Sequence, residues 1–189
     1  PAILKARAWL AEDPNRQPHT ILGRMLRHAR REEDFVVGTG IHLVDAILSF
    51  TGPPSSVSST RFGGPGGGAF HTARLLFPDK TAAITISPAC GLREETLEIH
   101  GKDFTVKIDT FANRLEIFVN NQQVMDWMPD SGVPAELLDV ISETETFLAG
   151  VRNGSPLRPN LEDGLASMLT AEAIHRGGET DIQAALVQD

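Results

Sequence analysis

The apolar residues of this chain change their pattern part-way along, from a spacing of three to four before Pro53 to a strand-like one from Ser55 to Trp127. Pro1–Leu10 predicts an amphipathic helix with proline in its first turn, ended by the breaker cluster Asp13-Pro14-Asn15-Arg16-Gln17-Pro18. His19–Arg31 fits two readings. Ile21, Leu22, Met25, Leu26 and Ala29 make a helical stripe, while the length and β-branched start allow a strand. A helix then carries Ile41, Val44, Ile47 and Leu48 on one stripe and stops at Thr51-Gly52-Pro53-Pro54.

Beyond that point the pattern is β. Ser55–Phe62 predicts a strand, followed by the flexible turn Gly63–Gly68. Ala69–Phe77 and Thr81–Ser87 flank the turn Pro78-Asp79-Lys80, and Glu94–His100 and Asp103–Asp109 flank Gly101-Lys102. A third hairpin joins Arg114–Val119 to Gln122–Trp127 across Asn120-Asn121. Phe104, Val106 and Ile108 alternate with Thr105, Lys107 and Asp109, the mark of a strand with one covered face. Two helices, about Ala135–Asn153 and Leu161–Arg176, follow; Gly177-Gly178 ends the second, and the tail after Glu179 is expected to be loose. The pattern predicts a single α+β domain over 1–189, an open, mainly antiparallel sheet with helices packed on one face.

Composition narrows the partners. A 189-residue chain buries a real core, and a formal net charge of −8 argues against a nucleic-acid surface and a polybasic membrane contact. No apolar run reaches the length of a membrane span. Cys90 is the single cysteine, which excludes an internal disulfide framework and fits a reducing cytoplasm. No second cysteine and no HxxxH or HExxH spacing supports a metal site. Pro1 opens the chain without an initiator methionine or signal-peptide layout, so we expect a piece whose N-terminal part is missing.

Candidate chemistry concentrates in Gly38-Thr39-Gly40-Ile41-His42-Leu43-Val44-Asp45. Residues three apart on a helix are neighbours, so His42 and Asp45 share a face, with Ser49 one turn on. The two glycines are expected to leave backbone N–H groups free beside them. One reading is a local imidazole–carboxylate pair of small energetic worth; the other makes His42 a general acid/base oriented by Asp45. Arg24, Arg27, Arg30 and Arg31, with His28, precede Glu32-Glu33-Asp34. They are either a solvated, mutually paired cluster or include a clamp for a substrate carboxylate or phosphate. The Gly63–Gly68 run has strand-like sequence on both sides and no GKS/T, so it lacks the helix N-terminus that a phosphate loop needs.

Several segments resemble one family. Gly40-Ile41-His42-Leu43-Val44-Asp45-Ala46-Ile47-Leu48 followed by Gly52 resembles the GxHxxD…G segment of the glucose–fructose oxidoreductase and inositol dehydrogenase superfamily. Arg93–Gly101 is similar to its "ReexieIyG" strand, Phe147–Pro156 to "F.dairnG.p", and Glu162–Ile174 to "edGl.al.laeAi". Pro1–Leu10 is similar to the helix that follows the cofactor domain, so the resemblance runs along nearly the whole chain. It implies an N-terminal Rossmann domain, absent from this chain, that binds NAD or NADP. It also implies a C-terminal domain of the dihydrodipicolinate-reductase-like α+β fold, which supplies the substrate pocket and subunit contacts, and it favours a strand for His19–Ala29.

By this resemblance His42 faces substrate as acid/base or hydroxyl-binding imidazole, with Asp45 its neighbour; from the basic cluster itself, Arg24, Arg27 or Arg30 would bind an acidic substituent. The implied function is the substrate-binding part of a cytoplasmic NAD(P)-dependent oxidoreductase acting on a sugar, cyclitol or related polyol. This chain alone would bind no cofactor and be inactive, and it would join further copies through the sheet face. Two departures keep an alternative open. The family's lysine, in a Glu-Lys-Pro motif, is not in this chain, and the aspartate that many members place four residues before the histidine is here Gly38. The alternative is a non-catalytic sensing or assembly module that kept the fold.

Overall fold

The structure is a computed structural model describing residues 1–63, 68–130, 135–156 and 159–186, with no side-chain description for 135–139. It runs α1 (Ala2–Ala11), β1 (Pro18–Leu26), a π-helical turn (Val36–Gly40), α2 (Ile41–Thr51), β2 (Ser56–Phe62), β3 (Phe70–Leu76) and β4 (Thr81–Ser87). There follow β5 (Glu94–Gly101), β6 (Phe104–Asp109), β7 (Arg114–Val119), β8 (Gln122–Trp127), α3 (Ala135–Asn153), α4 (Leu161–Arg176), β9 (Gly178–Asp181) and α5 (Ile182–Leu186). The strands form one open sheet ordered β8-β7-β6-β5-β1-β4-β3-β2-β9. Every pairing is antiparallel except β1 with β4. The α+β expectation holds.

Pleating sends alternate side chains to opposite faces. Ile21 and Met25 of β1, Leu97 and Ile99 of β5, and Val106 and Ile108 of β6 all turn to one buried face. That face is covered by α1 over β6 and β7, α2 over β1, and α4 over β2 and β3. Trp9 of α1 meets Phe104 edge-to-face at 5.5 Å. Gly23, between Ile21 and Met25, is where α2 comes closest: a Cβ there would lie 2.7 Å from Ile47 Cδ1. The helix therefore rests on bare backbone.

The ambiguous segment His19–Arg31 is a strand only as far as Leu26. Ala29 beyond it has a φ of +56°, outside any strand. The chain after Glu179 is ordered as far as Leu186, against the expectation of a loose tail, and residues 187–189 lie outside the described residues. Gly177 and Gly178, both at positive φ, reverse the chain so that β9 pairs with the outer edge of β2 and α5 follows. Backbone groups on an unpaired edge gain partners this way. Residues 64–67 of the expected glycine turn lie outside the described residues, but the strands expected on either side are present as β2 and β3.

Candidate functional site

The segment leading to His42 is helical before α2 begins. Buried Phe35 and Val36 anchor the π-turn to the core, and it passes into α2 with Gly40 in the right-handed helical region. Gly38 N–H donates to the Asp34 carbonyl at 2.8 Å. The expectation of free amides beside the two glycines is thus corrected: the Gly38 donor is spent within the helical turn. Gly40 serves close approach instead, since a Cβ there would sit 3.0 Å from Ile86 Cδ1 on β4. A π-turn adds a residue to the helical path and is often found at functional sites.

Leu43, Val44, Ala46, Ile47 and Leu48 are buried against the sheet, which leaves Gly38, His42, Asp45 and Ser49 along the outer face. His42 is exposed and makes no hydrogen bond, ion pair or ring contact with the described residues. The pairing with Asp45 does not form. Asp45 instead accepts a 2.9 Å hydrogen bond from Ser167 Oγ on α4, a tie between two helices. Asp45 also lines a cavity of about 410 Å³ between α1, α2 and α4, with Arg7, Leu48, Ser49, Asp163 and Ser167. His42 is not part of its wall.

The three arginines diverge. Arg24 follows inward-facing Gly23, so it projects from the uncovered sheet face, where it pairs with Glu94 of β5. Arg27 lies past the strand end, mostly buried; it pairs with Glu95, donates to the Glu94 carbonyl and stacks over Phe111 at 4.7 Å. Only Arg30 reaches the π-turn. It pairs with Glu32, lies 5.4 Å from the Phe35 ring and approaches Thr39 Oγ1 at 3.4 Å, one turn before His42. Glu32 is held below the ordinary carboxylate pKa by backbone N–H groups and by Arg30.

A second imidazole pair escaped the sequence reading as a pair. Buried His71 on β3 and His175 near the end of α4 stack with ring centroids 5.9 Å apart, and His71 Nδ1 meets the Ile174 carbonyl at 3.1 Å. Burial, then the charges of His175 and Arg61, lowers the His71 pKa against the opposing pull of that carbonyl. His71 shares the inward parity of Ala73 and Leu75, the one available signal of its burial. Among the described residues no group of three or more His, Cys, Asp or Glu is placed to hold a metal. No described helix is long and apolar enough to cross a membrane.

No protein-family model matches the chain, and no curated protein sequence matches it. Solved structures do. Levoglucosan dehydrogenase in complex with NADH superposes with a TM-score of 0.80 at 14% identity, over 96% of this chain and 63% of that one. The chain has its fold. A putative myo-inositol dehydrogenase from Sinorhizobium meliloti gives a TM-score of 0.73 at 18% identity, over 96% of this chain and 62% of that one. UDP-N-acetylglucosamine 3-dehydrogenase from Acidithiobacillus ferrooxidans gives 0.71 at 19%, over 100% and 56%. The chain thus spans about 63% or less of the length of these dehydrogenases. Their shared architecture, an open antiparallel sheet with helices on one face, is the one expected from the sequence resemblance.

Proposed function

We propose that this chain is the substrate-binding domain of an NAD(P)-dependent, cytoplasmic oxidoreductase acting on a sugar, cyclitol or related polyol. The observation that carries this reading is His42: an imidazole without a partner among the described residues, on a rigid helix of a fold shared with sugar and polyol dehydrogenases. A group so placed is free to hold a substrate hydroxyl and take up its proton near neutral pH. Asp45 acts at one remove, fixing α2 to α4 so that the imidazole keeps its place. Of the arginines, Arg30 is the one to meet an acidic substituent, since it alone approaches the His42 helix.

The glycine-rich stretch of this chain offers no cradle for the cofactor. A dinucleotide pyrophosphate sits at a helix N-terminus after a glycine turn, whereas the glycine-rich stretch here joins two antiparallel strands, β2 and β3. NAD(P) would therefore be held by a Rossmann domain outside this chain, and would accept hydride from the carbinol carbon. The uncovered sheet face, which exposes Leu22 and Phe62, is proposed as the contact between copies.

The test is His42→Asn in the full-length protein, assayed with a panel of polyols. Turnover is expected to fall by about two orders of magnitude or more, the usual worth of a general base, while NAD(P) affinity is unchanged. Unaltered turnover would return His42 to a structural role, and a wild-type protein that turns over no polyol would favour a non-catalytic sensing module instead.

A further inference from the structure

The helical layer does not close over the sheet. α1 lies on β6 and β7, while α2 and α4 lie together over β1, β2 and β3, and α1 packs closely against neither of them. The opening between them is the cavity of about 410 Å³ met at Asp45, within the ordinary size of a small-molecule site, about 300–1,000 Å³. Its apolar wall is formed by Leu4, Leu48, Pro53 and Ala166. Leu4 is 52% exposed because it meets this space and not a neighbouring helix. Polar groups reach the same space from three helices. Ser167 of α4 is almost fully buried and donates to Asp45 Oδ1 at 2.9 Å, so the serine lone pairs and Asp45 Oδ2 are left to accept. Asp163 adds a carboxylate, one oxygen of which accepts the Asn160 N–H at 2.8 Å. Arg7 of α1 has no hydrogen bond or ion pair with any described residue.

We infer that this cavity binds a neutral polyhydroxylated ring, of the size of a monosaccharide or cyclitol. Charge selects that class. Two carboxylates face one guanidinium, so the wall as a whole turns away a carboxylic acid or phosphate, while the guanidinium opposes an ammonium group. A hydroxyl suits both signs: it donates to a carboxylate oxygen and accepts from Arg7, and each such bond is charge-assisted. The C–H faces of the ring rest on Leu4, Pro53 and Ala166, the apolar lining that a small-molecule site requires. The cavity runs from Asp45 to Ser49, Gly52 and Pro53, towards the C-terminal end of α2, and His42 does not line it. A ligand here is therefore held by groups to which the dehydrogenase reading gives no contact with substrate, and the inference goes beyond that reading.

The experiment is methyl NMR of the full-length polypeptide, labelled at leucine and alanine, without added nucleotide. D-Glucose and myo-inositol are the neutral probes, with D-gluconate and D-glucosamine as the acid and the amine of matching size. At least one neutral ring is expected to shift the Leu4, Leu48 and Ala166 methyl signals saturably, and equally in His42→Asn. Arg7→Ala should weaken that binding at least about tenfold. Leu4→Trp, which fills the opening from an exposed position, should abolish it. Unshifted signals of Leu97 and Leu115, in the core, show that both variants are folded. Shifts produced by gluconate or glucosamine at lower concentration than by either neutral ring would overturn the inference. So would the absence of saturable shifts up to about 100 mM of each neutral ring, or undiminished shifts in Arg7→Ala and Leu4→Trp. Shifts lost in His42→Asn would place the ligand at His42 and overturn it equally.

Discussion

Replacing Gly23 by alanine puts a methyl group where α2 touches β1. Its Cβ would lie 2.7 Å from Ile47 Cδ1 and 3.3 Å from Leu43 Cδ1, against an ordinary carbon contact of about 3.5–4.0 Å. Ile47 and Leu43 are both fully buried, so neither methyl can swing into solvent. Either α2 rises from the sheet or Ile47 leaves its rotamer. Overpacking of this kind costs about 1–3 kcal/mol, and alanine offsets roughly 0.4–1 kcal/mol by restricting the unfolded chain. The net loss is between about 0 and 2.6 kcal/mol, centred near 1.3 kcal/mol, which is roughly 3–5 °C in Tm for a domain of this size.

Ile47→Val removes the clashing methyl and by itself costs about 0.5–1.5 kcal/mol. Urea midpoints for the wild type, both single variants and the double variant close a thermodynamic cycle. Alanine at position 23 fills the space that valine at 47 vacates, so the double variant is expected to be about as stable as Ile47→Val alone. That corresponds to a coupling of about 1 kcal/mol or more. Strict additivity would refute the claim that Gly23 is kept for close approach.

Two further outcomes follow from buried polar groups. Because His71 titrates below its ordinary value of 6.5, the unfolded chain takes up that proton more readily than the native one. Its contribution to stability is thus complete above about pH 6.5 and is lost as the pH falls through the lowered native value; Tm followed from about pH 7.5 to 5 should drop less steeply in His71→Phe. If Asp45 is a tie to α4, then Asp45→Ala and Ser167→Ala should couple in stability by about 1 kcal/mol, the worth of one hydrogen bond. Asp45→Ala and His42→Asn should instead be additive, and coupling between those two would restore the pair that spacing predicts.

The parts of this fold legible in the sequence are those built from local contacts. The β5–β6 and β7–β8 hairpins announce themselves through alternation and turn residues; the first turn, expected at Gly101-Lys102, lies one residue later because Gly101 ends β5 and Asp103 takes the positive φ, while the second falls at Asn120-Asn121 as expected. β1 was ambiguous for a physical reason. It is the central strand, and besides inward-facing Ile21 and Met25 it carries Leu22 and Leu26 on the other face, which blurs the period of two. β9 was missed because Gly-Glu-Thr-Asp has no apolar pattern; its partner is the β2 backbone, which no side-chain pattern reports. Spacing made His42 and Asp45 neighbours correctly, but the carboxylate is claimed by Ser167, 122 residues along the chain.

The arginines carry the same lesson into the chemistry of the site. Residue type and clustering left Arg24, Arg27 and Arg30 equivalent as anion clamps, and their surroundings separate them. Arg24 faces away from α2, on the open side of the sheet. Arg27 and Glu95 are each close to nine-tenths buried, and the guanidinium is also bonded to the Glu94 carbonyl and stacked on Phe111. A substrate acid drawing Arg27 away would strand the Glu95 carboxylate without its partner, and breaking such a pair is strongly unfavourable. Arg30 pairs with a half-exposed carboxylate that water can solvate on release. It can therefore exchange Glu32 for another anion at little cost, and it lies beside the π-turn that leads to His42. On the proposed reading, Arg30, which reaches Thr39 one turn before His42, is the arginine left to meet an acidic substituent, and burial decides that choice.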